Sequence, residues 1–162
     1  MPNAQRAVVI GASRGIGLGL VAEWLARGFE VIASVREGAS REALKALEQR
    51  HPGRLEIVVV DLAAPDELGR LLACAHIDVL MVVAGIMGPD HQRAECASRE
   101  ELGELFWTNA TAPVVLARTL LPAVRRGGTI GFVSSRMGSV ALNEEGDREL
   151  YRASKAALNS LT

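Results

Sequence analysis

The chain has 162 residues, 49% of them hydrophobic and 23% charged, with a formal net charge of −1. That length suits one domain with a real core. The balanced charge and 4% aromatic content argue against a nucleic-acid partner or an anionic membrane surface. No apolar run is long enough to span a bilayer, and "MPNAQRAVVIGA" lacks the pattern of a signal peptide, so a soluble cytoplasmic protein is expected.

In chain order, short β-branched runs alternate with amphipathic segments. Strands are predicted at "RAVVI" (6–10), "EVIASV" (30–35), "LEIVVV" (55–60), "DVLMVV" (78–83) and "TIGFVS" (129–134). Their nearly continuous apolar character suits strands covered on both faces. Helix patterns lie between them. Ile16, Leu20, Trp24 and Leu25 mark a helix over 15–27, with Gly28 as its stop. Ser40 is placed to cap 41–50, and Pro65 to open a helix over 65–74. "SREE" (98–101) fits a capping box for a long helix to Val124, which Pro113 should bend or locally adjust. Residues 84–97 form a long loop of the kind that lines sites. The reading is a single α/β domain over 1–162, a doubly wound parallel sheet of five strands ordered 3-2-1-4-5, with "TIGFVS" left as an apolar edge.

Cys74 and Cys96 have no zinc-like spacing and read as free thiols, while His51, His76 and His91 are scattered among polar residues, so no metal site is expected.

"VVIGASRGIGLGL" joins the first strand to the first helix, with Gly11, Gly15 and Gly17 in a G-x-x-x-G-x-G pattern. Gly11 permits a tight turn, Gly15 lets the backbone approach a pyrophosphate, and Gly17 lets helix and strand pack closely. Free N–H groups of the first helical turn would face the anion, which predicts dinucleotide binding. After the second strand comes Arg36, and Arg14 lies in the glycine loop; paired guanidinium groups suit a 2′-phosphate and favour NADP(H). Glu37 keeps NAD(H) open as the lesser alternative, since a carboxylate there can bind the ribose 2′-hydroxyl. Tyr151 and Lys155 are spaced to share one helical face.

"GASRGIG", "VVVDL", "TNATAP", "VSSRMGS" and "YRASKAALN", in this order, resemble the classical short-chain dehydrogenase/reductases, with the sniffer-like or C-factor-like carbonyl reductases as the nearest branch. The resemblance covers essentially the whole chain. It implies a Rossmann fold, with the first five of the family's strands present, the C-terminal strands missing and the chain stopping within the catalytic helix. It implies a hydride transfer between NADP(H) and a small carbonyl or alcohol substrate. Tyr151 would be the proton donor or acceptor and Lys155 the positive charge that lowers its pKa from about 10. Ser135 would hydrogen-bond the substrate oxygen. Asn109 would stabilise a local helix distortion and anchor a water leading to Lys155. Ser13 and Ile16 would join the glycine-loop residues at the cofactor, Asp61 would bind the adenine amino group beside Leu62, and Ala84 and Gly85 would approach the ribose. Tyr151 and Lys155 would also contact the cofactor.

The chain departs from the family pattern where Val82 and Val83 replace two asparagines and Ile10 replaces a threonine, each removing internal hydrogen bonds. The interval from Ser135 to Tyr151 is also longer than in many relatives. A non-catalytic dinucleotide-binding or signalling module is the competing reading. A homodimer or higher homo-oligomer is expected, with the small residues of "TNATAP" and "ASKAALNS" available for helix packing.

Overall fold

The computed structural model describes residues 4–62, 76–144 and 146–162. The helix predicted to start at Pro65, together with Cys74, falls outside them. Five parallel strands form one sheet in the order β3-β2-β1-β4-β5. They are β1 (Arg6–Ile10), β2 (Glu30–Val35), β3 (Leu55–Val59), β4 (Ile77–Val82) and β5 (Val124–Phe132). The helices are α1 (Gly15–Ala26), α2 (Glu42–Arg50), α3 (Arg99–Phe106), α4 (Ala112–Leu120) and α5 (Glu149–Leu161).

The strands are apolar because both faces are covered. In β1 successive side chains serve opposite cores: Val8 and Ile10 pack with Leu80, Leu116 and Leu120, whereas Val9 packs with Val21, Leu25 and Leu44. Thus α1 and α2 seal one face and α4 the other, the doubly wound arrangement expected. Ala7, Val8 and Val9 are fully inaccessible to solvent. Burying each such side chain contributes on the order of 1.5–3 kcal/mol for the larger aliphatic ones.

Several local expectations are corrected. The buried stripe of α1 is Gly17, Val21 and Leu25, and Ile16 is 61% exposed, because the close approach of Gly17 sets the helix's rotation. Gly28 does stop α1, with φ of +86°. Ser40 caps nothing; α2 begins after Arg41, and no side chain caps it. The capping box is present at α3: Ser98 Oγ accepts from Glu101 N (3.1 Å), and Ser98 N donates to the Glu101 carboxylate (2.9 Å). The long helix is interrupted by a π turn, Trp107–Thr111, immediately before Pro113, which lacks the N–H to continue a regular ladder.

β5 starts earlier than predicted, and its pairing with β4 slips between Ile77 and Val79. Extra residues there carry Arg125 and Arg126 outward, and Arg125 pairs with the buried Asp78 carboxylate, which also accepts from Arg6 N at 2.6 Å. The edge is therefore irregular and charged at its start, a pattern that opposes unwanted pairing, and apolar only towards Phe132. Among the described residues no helix is long and apolar enough to cross a membrane.

Candidate active site

The glycine turn is built by steric necessity. Gly11 has φ of +90°, and a Cβ there would meet the Ala84 backbone at 2.8 Å. A Cβ on Gly17 would lie 2.2 Å from the Gly11 carbonyl oxygen. Gly15 has φ of +57° and open space around it, so its role is conformational and leaves room on the turn's outer side. Arg14 precedes α1 without capping it, so the first-turn N–H groups stay available to an anion. Ser13 is half-buried, while Arg14, Gly15 and Ile16 are exposed along this rim. Uncapped donors, a crowding-dependent glycine approach and exposed guanidinium groups fit a bound dinucleotide pyrophosphate.

Where Ile10 stands in place of a threonine, the glycine turn is tied to β2. Gly11 N donates to Ser34 Oγ (3.0 Å), and Ala12 N to the Ser34 carbonyl (2.7 Å), so a buried serine on β2 supplies the acceptor. Where the two asparagines are replaced, main-chain bonds hold the sheet: Val83 N and Ala84 N both donate to Ile10 O, and Val133 N donates to Val82 O.

Arg36 follows β2 and is exposed. Glu37 points to solvent, its side chain 83% exposed, and lies 3.9 Å from Arg41. Asp61 is exposed and Leu62 buried, with the Leu62 carbonyl accepting from Trp107 Nε1 at 3.2 Å. That bond ties the end of the β3 region to the π turn.

At the other side of the sheet's C-terminal edge, Asn109 is fully buried within the π turn. Its Oδ1 accepts from Ile86 N (2.8 Å), and its Nδ2 donates to Ile86 O (2.7 Å) and Ser154 Oγ (3.0 Å). Both amide hydrogens are spent, while Oδ1 keeps a lone pair for one further donor. Ser154 Oγ in turn donates to the Tyr151 carbonyl at 2.8 Å. Asn109 thus ties the π turn to the loop after β4 and to α5.

Lys155 is only 4% exposed, and its Nζ donates to Val133 O at 3.0 Å. Burial pushes its ammonium below the usual lysine value. A Cβ built on Gly85 would lie 3.1 Å from Asn109 Oδ1 and 3.3 Å from Lys155 Nζ. Three segments therefore converge on one backbone position where a larger side chain would press on both Asn109 and Lys155.

Tyr151 lies one helical turn before Lys155 and is half-buried. Ser135 Oγ accepts from Met137 N (3.1 Å), which fixes the turn Arg136–Gly138 and leaves the hydroxyl proton to donate outward. Gly138, next in the same motif, packs against α5: a Cβ there would meet the Lys155 backbone at 2.9 Å. Asn159 completes this seam, accepting from Ser134 Oγ (2.6 Å) and donating to Gly138 O (3.2 Å).

A cavity of about 210 Å³ opens beyond this turn, lined in part by Met137, Val140, Ala153, Ala156 and the buried Arg152. Ala153 and Ala156 occupy a face of α5 turned away from Tyr151 and Lys155, while Met137 and Gly138 line the cavity from the turn that Ser135 opens. Cys96 is a free, exposed thiol, and no metal-binding group of three ligands occurs among the described residues. His91 is spent locally, its Nδ1 accepting from Arg93 N.

The family model of the short chain dehydrogenases matches residues 5–162. The chain belongs to that family. Among curated members it is 34% identical over 95% of its length to the short chain dehydrogenase gsfK of Penicillium aethiopicum, and 37% identical over 51% to C-signal of Myxococcus xanthus. It spans 66% of the former and 51% of the latter, less than two thirds of either relative. Among solved structures, a carbonyl reductase from Pseudomonas aeruginosa PAO1 in complex with NADP superposes with a TM-score of 0.91 at 44% identity, covering 98% of this short chain dehydrogenase and 70% of that chain.

Sequence reasoning missed Ser34, Ser154 and Asn159 as site-building residues. The last two lie inside the quoted "YRASKAALN", so position on the helix of Tyr151 and Lys155 was the available signal; Ser34 offered none beyond being polar in an apolar strand.

Proposed function

We propose that this protein is an NADP-dependent carbonyl reductase or alcohol dehydrogenase. The convergence of Asn109, Lys155 and Gly85 at one buried point, on the helix that carries Tyr151, is the observation that carries this reading. When bound, NADP(H) supplies or accepts the hydride. The chain's own groups do the rest. Tyr151 moves the proton to or from the substrate oxygen. Its phenol, with an ordinary pKa of about 10, needs roughly 4 kcal/mol of differential stabilisation to work near neutrality. Lys155 supplies part of this, because a cation held in a poorly solvated pocket acts on a neighbouring phenolate with little screening.

Ser135 donates to the substrate oxygen, and Asn109 keeps the π turn and the Lys155 pocket aligned. Gly11, Ser13, Arg14, Gly15, Ile16 and Gly17 hold the pyrophosphate, Asp61 and Leu62 flank the adenine, and Ala84 and Gly85 border the ribose. Arg36 and Arg14, both exposed, hold the 2′-phosphate. The solved carbonyl reductase bound to NADP supports the same choice.

The test is NADPH oxidation against a panel of aldehydes and ketones, with NADH in parallel. Tyr151→Phe should lower turnover about a thousandfold while cofactor binding persists. Arg36→Ala should weaken NADPH binding about tenfold or more and leave NADH unchanged. Cofactor binding without turnover, indifferent to Tyr151→Phe, would instead favour the non-catalytic module.

The homodimer reading rests on α5, whose Ala153 and Ser160 are exposed, rather than on "TNATAP", whose Asn109, Ala110 and Ala112 are spent in the chain's own interior. Light scattering decides it: a monomer mass at micromolar concentration removes the dimer.

A further inference from the structure

The geometry assigns Gln92 as a positioning residue for proton transfer: from the loop before α3, its side chain caps the first turn of the helix that carries Tyr151. The effect on turnover rests on the reductase reading above; the cap itself rests on geometry alone.

The first N–H groups of a helix have no acceptor within the helix. A Ser, Thr, Asp or Asn at the N-cap usually supplies one. In α5 the N-cap is Arg148, held at φ of +56° and offering no side-chain cap. The helix begins at Glu149, so Tyr151 is its third residue, in the turn most prone to fraying. The first intrahelical bond belongs to Arg152 N, donated to Arg148 O at 2.9 Å. Tyr151 N donates instead to Gln92 Oε1 at 3.2 Å, across 59 residues of sequence.

The Gln92 amide is oriented by its other end. Its Nε2 donates to the carbonyls of Met87 and Pro89, both at 2.7 Å. Turning the amide over would set its oxygen against two carbonyl oxygens and its NH₂ against the Tyr151 N–H, so one orientation alone is satisfied. Gln92 also sits at φ of +53°, a conformation unusual for a residue with a side chain. Backbone of that kind persists where surrounding contacts over-determine it. A second bond crosses the same seam, from Ala94 N to Glu149 Oε2 at 3.1 Å. A reacting phenol on a frayed first turn would sample positions off the reaction axis, and this seam prevents it.

The experiment uses the full chain, with amide hydrogen exchange at Tyr151 and steady-state kinetics with NADPH as separate readouts. Gln92→Met fills similar space without an amide. It is expected to speed Tyr151 exchange about fivefold, the usual consequence of a lost cap. It should lower kcat about tenfold with the KM for NADPH unmoved. Gln92→Glu keeps an accepting oxygen but sets its other oxygen against the Met87 and Pro89 carbonyls, so it should recover neither readout. Gln92→Gly suits the positive φ, so its loop is unstrained, and it should show the same losses as Gln92→Met. An unchanged Tyr151 amide in Gln92→Met and Gln92→Gly overturns the cap, whatever turnover does. A loosened amide with unaltered kcat overturns the positioning role. Absence of turnover in the wild type, with the amide still responsive to Gln92, would sink the reductase reading and leave the cap standing.

Discussion

The glycine turn and α5 are built into their surroundings by opposite means. The turn between β1 and α1 is shaped by close backbone approach: a Cβ on Gly17 would strike the Gly11 carbonyl nearby in sequence, and one on Gly11 would strike the Ala84 backbone beyond β4. The α5 site is assembled from afar. Asn109 reaches it from the π turn, Gln92 from the loop before α3, and Ser134 and Gly138 from the end of β5, each through a hydrogen bond to or from a side chain. The first kind of site fails by steric collision, the second by loosening. Substitutions that separate collision from loosening therefore sharpen the contrast.

The largest effect is expected at Lys155. Lys155→Met should cut turnover by about two to four orders of magnitude, read as NADPH consumption. It should also remove a pH dependence of stability. Because burial lowers the folded-state pKa of Lys155, the folded protein binds fewer protons than the unfolded chain between that value and the ordinary lysine pKa. Wild-type stability should therefore rise with pH through that window relative to Lys155→Met, as the cost of the buried charge is relieved. Denaturant titrations of both proteins at rising pH check the sign; a parallel course would show that desolvation does not govern this lysine.

Next comes a pair within α1. Gly17→Ala should destabilise by about 3 kcal/mol, since its methyl group would collide with the Gly11 carbonyl and backbone must move. Gly19→Ala, one half-turn away with nothing within 4 Å, should instead stabilise by about 0.5–1 kcal/mol. Thermal unfolding of the two variants side by side tests whether collision, rather than glycine content, governs the turn.

The smallest effect is expected at Asn159. Asn159→Ala removes the ties to Ser134 and Gly138 without touching a reacting group. It should lower kcat a few-fold and stability by about 1 kcal/mol. If turnover fell as far as in Lys155→Met, the seam would be more than a support.

Much of this architecture was legible because its causes are periodic or local. Apolar runs marked the strands, and "SREE" marked a capping box that forms as read. Pro113 announced the disturbance that the π turn resolves. Ser40 misled because a serine near a helix start is a cap only if the chain's path brings its oxygen to the first N–H groups, and here the helix starts past Arg41. Ile16 misled because helical spacing defines a stripe but not its rotation; the contact of Gly17 with Gly11 decides that.

By itself, the amino-acid order determined the parallel sheet, the position of its glycine turn and the placing of Tyr151 and Lys155 on one helix, because apolar runs, glycine spacing and helical periodicity are read within short stretches of chain. Tertiary structure alone decided that Ser34 would accept from Gly11 N, that Asn109 and Lys155 would meet at Gly85, and that Gln92 and Asn159 would hold α5. Those contacts span tens of residues, and their energies exist only once chain folding has brought buried donors and acceptors within hydrogen-bond reach.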